Sequence, residues 1–156
     1  MSSTKEILHF KRDSIIFKEG DKADCMYKVK YGFVEIYLNY KEKNQKLLTR
    51  IGHDEFFGEM ALLDDTVRSA TAVSADSTTQ LIAYSKEDLL KGSDESTSVR
   101  SDLLRQMSDH LVRLTDTYMD VCKTIAYYKA SEEVGKSIDI DLQKAIDMYS
   151  AMFITY

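Results

Sequence analysis

The sequence predicts an α+β fold in which short antiparallel strands precede a long helix. Two observations support this class: β-rich runs separated by turn residues fill the chain up to about residue 86, and a helical period follows. The chain has 156 residues, of which 44% are apolar and 30% charged, so one domain with a terminal appendage is expected. Many short strands at this spacing favour a small antiparallel barrel or sandwich.

The strands are marked by alternation and by the turns between them. Phe33–Asn39 alternates between apolar and polar residues, as a half-buried strand does. Glycines and the polar stretch Lys41–Gln45 indicate turns between the runs. The predicted strands are Ser14–Phe17, Met26–Tyr31, Phe33–Asn39, Lys46–Ile51, Arg68–Val73 and Thr78–Tyr84.

Helical signals begin at Ser85, which is predicted to cap a short helix with Asp88 at the reciprocal position of a capping box. The polar stretch Gly92–Ser98 is predicted to be a break. From Val99 to Tyr128, apolar residues recur at alternating steps of three and four, which is typical of a coiled-coil seam. A single helix packed on its own domain is the alternative. The seam residues are Leu104, Met107, Leu111, Leu114, Tyr118, Val121, Ile125 and Tyr128.

Composition excludes several classes of function. A net charge of −5 argues against a chain that wraps nucleic acid or coats an anionic membrane. No apolar run approaches the ~18 residues needed to span a bilayer, and the polar first residues favour a cytoplasmic protein. Cys25 and Cys122 cannot form a four-thiolate metal site. His9, His53 and His110 lack metal-ligand spacing, so each is expected at the surface or an edge, and no metal is predicted.

The most specific stretch runs from Phe56 to Leu63 and continues from Arg68 to Ala72. In it, a glycine precedes a one-turn helix, whose first N–H groups suit an anion together with the guanidinium of Arg68. Glu59 would repel a phosphate, but its carboxylate can accept a hydrogen bond from a sugar hydroxyl. These features indicate a nucleotide pocket. A surface Glu–Arg pair beside a strand turn is the alternative.

This stretch resembles the phosphate-binding cassette of cyclic nucleotide-binding domains, which occur in catabolite-activator-type regulators, cyclic-nucleotide-dependent kinases and cyclic-nucleotide-gated channels. The family pattern is F-G-E-apolar-small-L-[L/M], a few variable residues, then R-[S/T/A]-A-[T/S], and every position is filled. Nine positions separate Glu59 from Arg68, as in the kinase and channel branches. Val67 stands where the family often has proline, which affects loop stiffness more than ligand contact. The resemblance covers about residues 10–130.

The resemblance implies an antiparallel, jelly-roll-like β-roll with short flanking helices and a long C-terminal dimerisation helix. It also implies a 3′,5′-cyclic purine mononucleotide as ligand, with cyclic AMP favoured over cyclic GMP. By the same resemblance, Glu59 accepts a hydrogen bond from the ribose 2′-hydroxyl and Arg68 binds the cyclic phosphate. Ser69 is a second hydrogen-bond donor, to the phosphate or to the base edge. The other implied contacts are Gly58, Met60, Ala61 and Ala70 near the phosphate, Ile36, Leu48 and Thr49 around the purine, and Thr115 on the helix that covers the base.

By the same resemblance, the chain divides into a β-roll (1–92), a dimerisation helix (93–130) and a helical tail (131–156) that contains a predicted helix at Asp139–Phe153. Family regulators continue into a helix-turn-helix domain, whereas residues from Ser93 onward carry 11 acidic and 7 basic side chains. No DNA binding by this chain alone is therefore expected, whether it is a stand-alone sensor or a fragment.

Three hypotheses follow. The first is a non-catalytic, homodimeric Crp/Fnr-type sensor of a cyclic nucleotide. The second is a regulator-like roll that responds to a different small anionic effector or serves only for dimerisation. The third is an enzyme on a β-barrel scaffold, for which no polar cluster completes a mechanism.

Overall fold

The computed structural model describes residues 6–130, with side chains described for residues 6–125. Strands occupy the first part of this range and a long helix the last. The strands are β1 (Ile7–Phe10), β2 (Ile15–Phe17), β3 (Cys25–Tyr31), β4 (Val34–Leu38), β5 (Lys46–Ile51), β6 (Phe56–Phe57), β7 (Thr71–Ser74) and β8 (Thr79–Ser85). The helices are α1 (Glu59–Leu63), α2 (Lys86–Leu90) and α3 (Asp94–Ala130).

The strands form two four-stranded antiparallel sheets, in the orders β1-β8-β3-β6 and β2-β7-β4-β5. The chain alternates between the sheets, so strands that are neighbours in a sheet are mostly distant in sequence. The ladder between β3 and β8 runs from the pair Cys25–Ser85 to the pair Tyr31–Gln80. This topology, with the long C-terminal helix, confirms the predicted β-roll.

Two hydrophobic clusters hold the fold together. The first lies between the sheets and joins Tyr27 and Phe57 of one sheet to Ile36 and Ala72 of the other. The second lies under the helices and includes Met26, Phe56, Leu62, Leu89, Val99 and Leu103. Successive side chains of a strand point to opposite faces, so Phe57 enters the first cluster while Phe56 enters the second. Strand β6 therefore contacts both the roll interior and the helices.

Two of the predicted boundaries are wrong. The stretch Gly92–Ser98 is not a break, because α3 begins at Asp94: the Ser93 hydroxyl accepts a hydrogen bond from the Ser96 N–H and so caps the helix. The strand predicted over Arg68–Val73 begins at Thr71. Arg68 instead lies before β7. Its main-chain N–H donates to the Asp21 carbonyl at 2.8 Å.

Other local predictions are confirmed. The Ser85 hydroxyl accepts from the Asp88 N–H, and the Asp88 carboxylate accepts from the Ser85 N–H, which completes the capping box of α2. Gly32 has a φ of +81°, and a Cβ there would lie 2.7 Å from the Thr78 carbonyl oxygen, so this turn requires glycine. Strands β1 and β6 were not predicted.

Helix α3 leaves part of its apolar seam uncovered by its own domain. Val99 and Leu103 are buried at its start, whereas Leu104, Leu111, Tyr118 and Ile125 are 66%, 57%, 57% and 41% exposed. One face of α3 therefore packs on its own domain as far as His110, as the alternative expects, while these four seam residues stay uncovered. The side chain of Tyr128 and the predicted helix at Asp139–Phe153 lie outside the described residues.

Within residues 6–130, no helix combines the length and the apolar character that crossing a bilayer requires.

Candidate functional site

The site begins at Gly58, which joins β6 to α1. Its φ of +75° lies in the left-handed region, which favours glycine. A Cβ on Gly58 would lie 2.6 Å from Nη1 of Arg68 and 3.2 Å from a ring carbon of Phe17. Both the backbone conformation and the close packing therefore exclude a larger residue. Since Gly58 has no side chain to cap α1, the first N–H groups of that helix lack a side-chain partner at the cap.

Arg68 is a buried cation, with only 3% of its surface exposed. Its Nη1 and Nη2 donate to the main-chain carbonyls of Gly58 and Cys25, and its guanidinium carbon lies 4.2 Å from the ring centroid of Phe17. In the described part of the chain, its Nε finds no hydrogen-bond partner. Neutral carbonyls and a ring face position this charge without neutralising it, so the geometry suits an anionic ligand.

Glu59 is the second buried charged residue of the site, at 7% exposure. Burial raises the pKa of its carboxyl, while a backbone hydrogen bond and the charge of Arg68 oppose that shift. Glu59 and Arg68 both line one cavity. Glu59 and Arg68 are thus both buried beside the same cavity, which argues against the alternative of an exposed Glu–Arg pair.

The cavity brings together most residues implied by the sequence resemblance. It is lined by Ile36 and Thr49, which the resemblance places around the purine, and by the implied contacts to the phosphate and ribose, which are Gly58, Glu59, Met60, Ala61, Arg68, Ser69 and Ala70. Two implied residues lie elsewhere. Leu48 packs against the core cluster between the sheets, and Thr115 is exposed on α3, where its hydroxyl donates to the Leu111 carbonyl. The ligand contacts of all these residues stay predictions.

Sequence reasoning missed five residues that also line the cavity: Phe17, Ile51, Phe56, Phe57 and His110. Four are apolar residues on β2, β5 and β6, and only the sheet topology brings them together. His110 was expected at the surface or an edge, but it lies on the cavity. The available signal was its spacing of four from Gln106, which places both side chains on one face of α3.

A comparison with known proteins now bears on this geometry. The sequence model of the family described as "Cyclic nucleotide-binding domain" matches residues 7–95. The chain belongs to this family. The match spans the whole β-roll, including the cassette and Arg68, so every described residue that lines the cavity except His110 lies within this domain.

Named relatives agree with the family assignment. The "Cyclic AMP receptor protein" of Thermus thermophilus is 39% identical over 75 residues, which are 48% of this chain and 34% of that protein. The crystal structure of the Thermus thermophilus Catabolite Activator Protein aligns with a TM-score of 0.62 at 29% identity, covering 76% of this chain and 55% of that chain. The cGMP-bound form of the EAL enzyme Bd1971 aligns with a TM-score of 0.52 at 34% identity, over 76% of this chain and 32% of that chain.

The chain thus spans about a third of the length of this curated relative.

Proposed function

We propose that this chain is a non-catalytic sensor whose cyclic nucleotide-binding domain binds a purine 3′,5′-cyclic mononucleotide, with cyclic AMP favoured over cyclic GMP. One observation carries the proposal: the buried guanidinium of Arg68 lines the cavity beside the start of α1, where it donates to two neutral main-chain carbonyls and where its Nε has no hydrogen-bond partner among the described residues. A cyclic phosphate supplies the missing negative charge.

The parts of the ligand are assigned by chemistry. The cyclic phosphate lies between Arg68 and the first N–H groups of α1, at Gly58–Ala61, with Ser69 and Ala70 as further contacts. Glu59 accepts a hydrogen bond from the ribose 2′-hydroxyl. The purine lies against the apolar wall that contains Ile36, beside Thr49. Leu48 and Thr115, which do not line the cavity, are proposed as further purine contacts. A carboxylate beside the sugar and a cation beside the phosphate match the two polar parts of this ligand.

The names of two similar proteins support a cyclic nucleotide as the ligand but do not decide between adenine and guanine. One relative is called a cyclic AMP receptor protein, and one solved neighbour was determined in a cGMP-bound form. The preference for cyclic AMP therefore rests on the overall resemblance of the cassette, because the Ser69 hydroxyl can serve either a phosphate or a guanine amino group.

The sensor is further proposed to act as a homodimer. The β-roll (1–92) holds the ligand, and the helix (93–130) pairs with its copy through the apolar seam from Leu104 to Tyr128. The exposed apolar residues of α3 support this pairing, since contiguous apolar surface on a helix marks an interaction site. Signal output would then pass through α3, and no direct DNA contact by this chain is proposed.

Calorimetric titration with cyclic AMP and cyclic GMP tests the ligand, on protein first unfolded and refolded to remove any carried nucleotide. We expect saturable binding of both, tighter for cyclic AMP. Thermal unfolding gives a second measurement, because a ligand at 100 times its Kd stabilises the folded state by about 2.7 kcal/mol. Absence of heat and of stabilisation with both nucleotides would overturn the proposal. Binding of another small anion alone would favour the regulator-like roll with a different effector.

A further inference from the structure

Helix α3 carries a second apolar face beside its seam, formed by Val112, Met119 and Cys122. Successive residues of an α-helix are about 100° apart around its axis, so these three positions lie within about 80° of one another. Val112 and Met119 are 57% and 49% exposed, and the Cys122 thiol is free and half-buried. Exposed apolar side chains aligned along one helix face indicate an interaction surface.

The β-roll lies on the other side of the helix from this second face. His110, which lines the cavity, comes two positions before Val112 and so lies about 160° away around the helix axis. Gln106, whose side chain bonds to the main chain of Phe56, lies about 120° from Val112. The β-roll therefore does not cover the second face.

A second copy of the chain paired at the seam does not cover it either. The seam residues Leu111 and Tyr118 each lie about 100° around the axis from the residue that follows them, Val112 or Met119. A two-stranded coiled coil packs its a and d positions against the partner, and Val112 and Met119 are b positions when Leu111 is an a position. A third helix is therefore needed to cover the second face.

The predicted helix at Asp139–Phe153 has an apolar face of matching size. Its apolar residues at steps of four, three and four are Leu142, Ile146, Tyr149 and Phe153. This spacing puts them on one face of a helix. A helix over these positions would be about 22 Å long, and α3 rises about 27 Å between Val112 and Ala130. The predicted helix thus fits on the second face without reaching the β-roll.

The connection between the two helices has a length that suits a helical hairpin. Residues 131–138 separate the end of α3 from the predicted helix and include Gly135. Connections between antiparallel helices in bundles commonly have about two to eight residues. A short tether also gives the segment an effective concentration in the millimolar range at its own helix. These two properties favour a segment of the same chain over a separate partner.

We propose that residues 139–153 form a helix that folds back antiparallel to α3 and docks on the second face of the same chain. Helix α3 then uses one apolar face for its own chain and leaves the seam for a second copy. Ile146 lies as many residues after the middle of the connection as Lys123 lies before it, so Ile146 packs beside Cys122. The contact goes beyond the proposed function and does not depend on a bound nucleotide.

The native Cys122 allows a cross-linking test on the full chain. Ile146→Cys, Leu142→Cys and Tyr149→Cys place a second thiol on the docking face, the last two covering one turn on either side. Lys144→Cys is the control, since position 144 lies about 160° around the predicted helix from Ile146. A disulfide requires Cα atoms about 4.4–6.8 Å apart, so oxidation with copper phenanthroline joins only helices that are docked.

A peptide map by mass spectrometry identifies which thiols are joined, and a non-reducing gel separates bonds within a chain from bonds between chains. We expect an intrachain bond to Cys122 in at least one variant of the docking face and none in Lys144→Cys. Bonds only between chains would assign the segment to the partner copy and overturn the proposal. Equal bonding in the control, or no bond in any of the three variants, would also overturn it.

The reactivity of Cys122 in a chain without new thiols gives a second measurement. Ile146→Asp places a charge in the apolar contact and should raise the rate of Cys122 alkylation by N-ethylmaleimide about tenfold or more. Lys144→Asp, the matched control, should leave the rate unchanged, and the rate at Cys25 should be the same in both variants. An unchanged rate in Ile146→Asp would overturn the docking. A rate that rises only when Leu111→Asp and Leu114→Asp disrupt the seam would instead assign the protection of Cys122 to the second copy.

Discussion

At the scale of single residues, Arg68 and Glu59 are expected to respond differently to substitution because they are proposed to contact different parts of the ligand. Arg68→Ala removes a buried, charge-assisted contact to the phosphate and should weaken binding by about 2–4 kcal/mol, roughly 30- to 1000-fold. Glu59→Gln keeps an acceptor for the 2′-hydroxyl and should lose about 1–2 kcal/mol. Calorimetry with cyclic AMP measures both losses.

The 2′-deoxy form of cyclic AMP separates the two roles. It lacks the hydroxyl that Glu59 is proposed to bind, so the penalty of Glu59→Gln should nearly vanish with this ligand. The penalty of Arg68→Ala should persist, because the phosphate is unchanged. If Glu59→Gln harms binding of the ribo and deoxy ligands equally, the carboxylate is not the ribose contact.

The burial of Glu59 predicts that its carboxylate favours ligand binding but destabilises the ligand-free protein. Burial raises the pKa of its carboxyl, so ionising this group costs more free energy in the folded state than in the unfolded chain. Glu59→Gln should therefore raise the Tm of the ligand-free protein at pH 7, by about 2–4 °C for each kcal/mol of relieved penalty. As pH falls through the raised pKa toward the unfolded value of about 4.3, wild type becomes protonated and the difference should shrink.

Thermal unfolding of ligand-free protein between pH 8 and pH 5 measures this difference. Glu42→Gln, which changes an exposed carboxylate in the β4–β5 loop, serves as the matched control and should leave the Tm nearly unchanged. A lower Tm for Glu59→Gln at pH 7 would show that the carboxylate stabilises the empty site.

At the scale of elements, the contact between α3 and β6 depends on one side chain. Gln106→Leu removes both hydrogen bonds to Phe56 and leaves its partly buried N–H and carbonyl unpaired, so the free energy of unfolding should fall by about 1–3 kcal/mol. Arg105→Leu, at the adjacent exposed position, is the control. Urea unfolding measures the change, and equal stability of the two variants would contradict it.

The elements also show what sequence could and could not predict. The cassette and the capping box at Ser85 were predicted because their signals are local: fixed residue types at fixed spacing. Strand β6 was missed because two residues are too few to alternate, and Arg68 was assigned to a strand although its backbone is tied to Asp21, 47 positions earlier. Phe17 and His110 line the cavity only because distant elements meet there, and no local spacing encodes such a meeting.

At the scale of the whole molecule, the exposed seam of α3 predicts a parallel homodimer. Leu104, Leu111 and Tyr118 recur every seven residues and are at least half exposed, which is the arrangement that a two-stranded coiled coil buries. Wild type should therefore have about twice the mass of the 17.9 kDa chain in light scattering. Leu111→Asp combined with Leu114→Asp places unpaired charges in the seam, which costs several kcal/mol, and should give a monomer.

The control for this prediction is Val112→Asp, which adds the same charge at a side chain that is 57% exposed, as Leu111 is, but points away from the seam. It should leave the dimer intact. A dimer that survives the double substitution would show that another surface forms the interface. A monomeric wild type that still binds cyclic AMP would separate ligand binding from assembly.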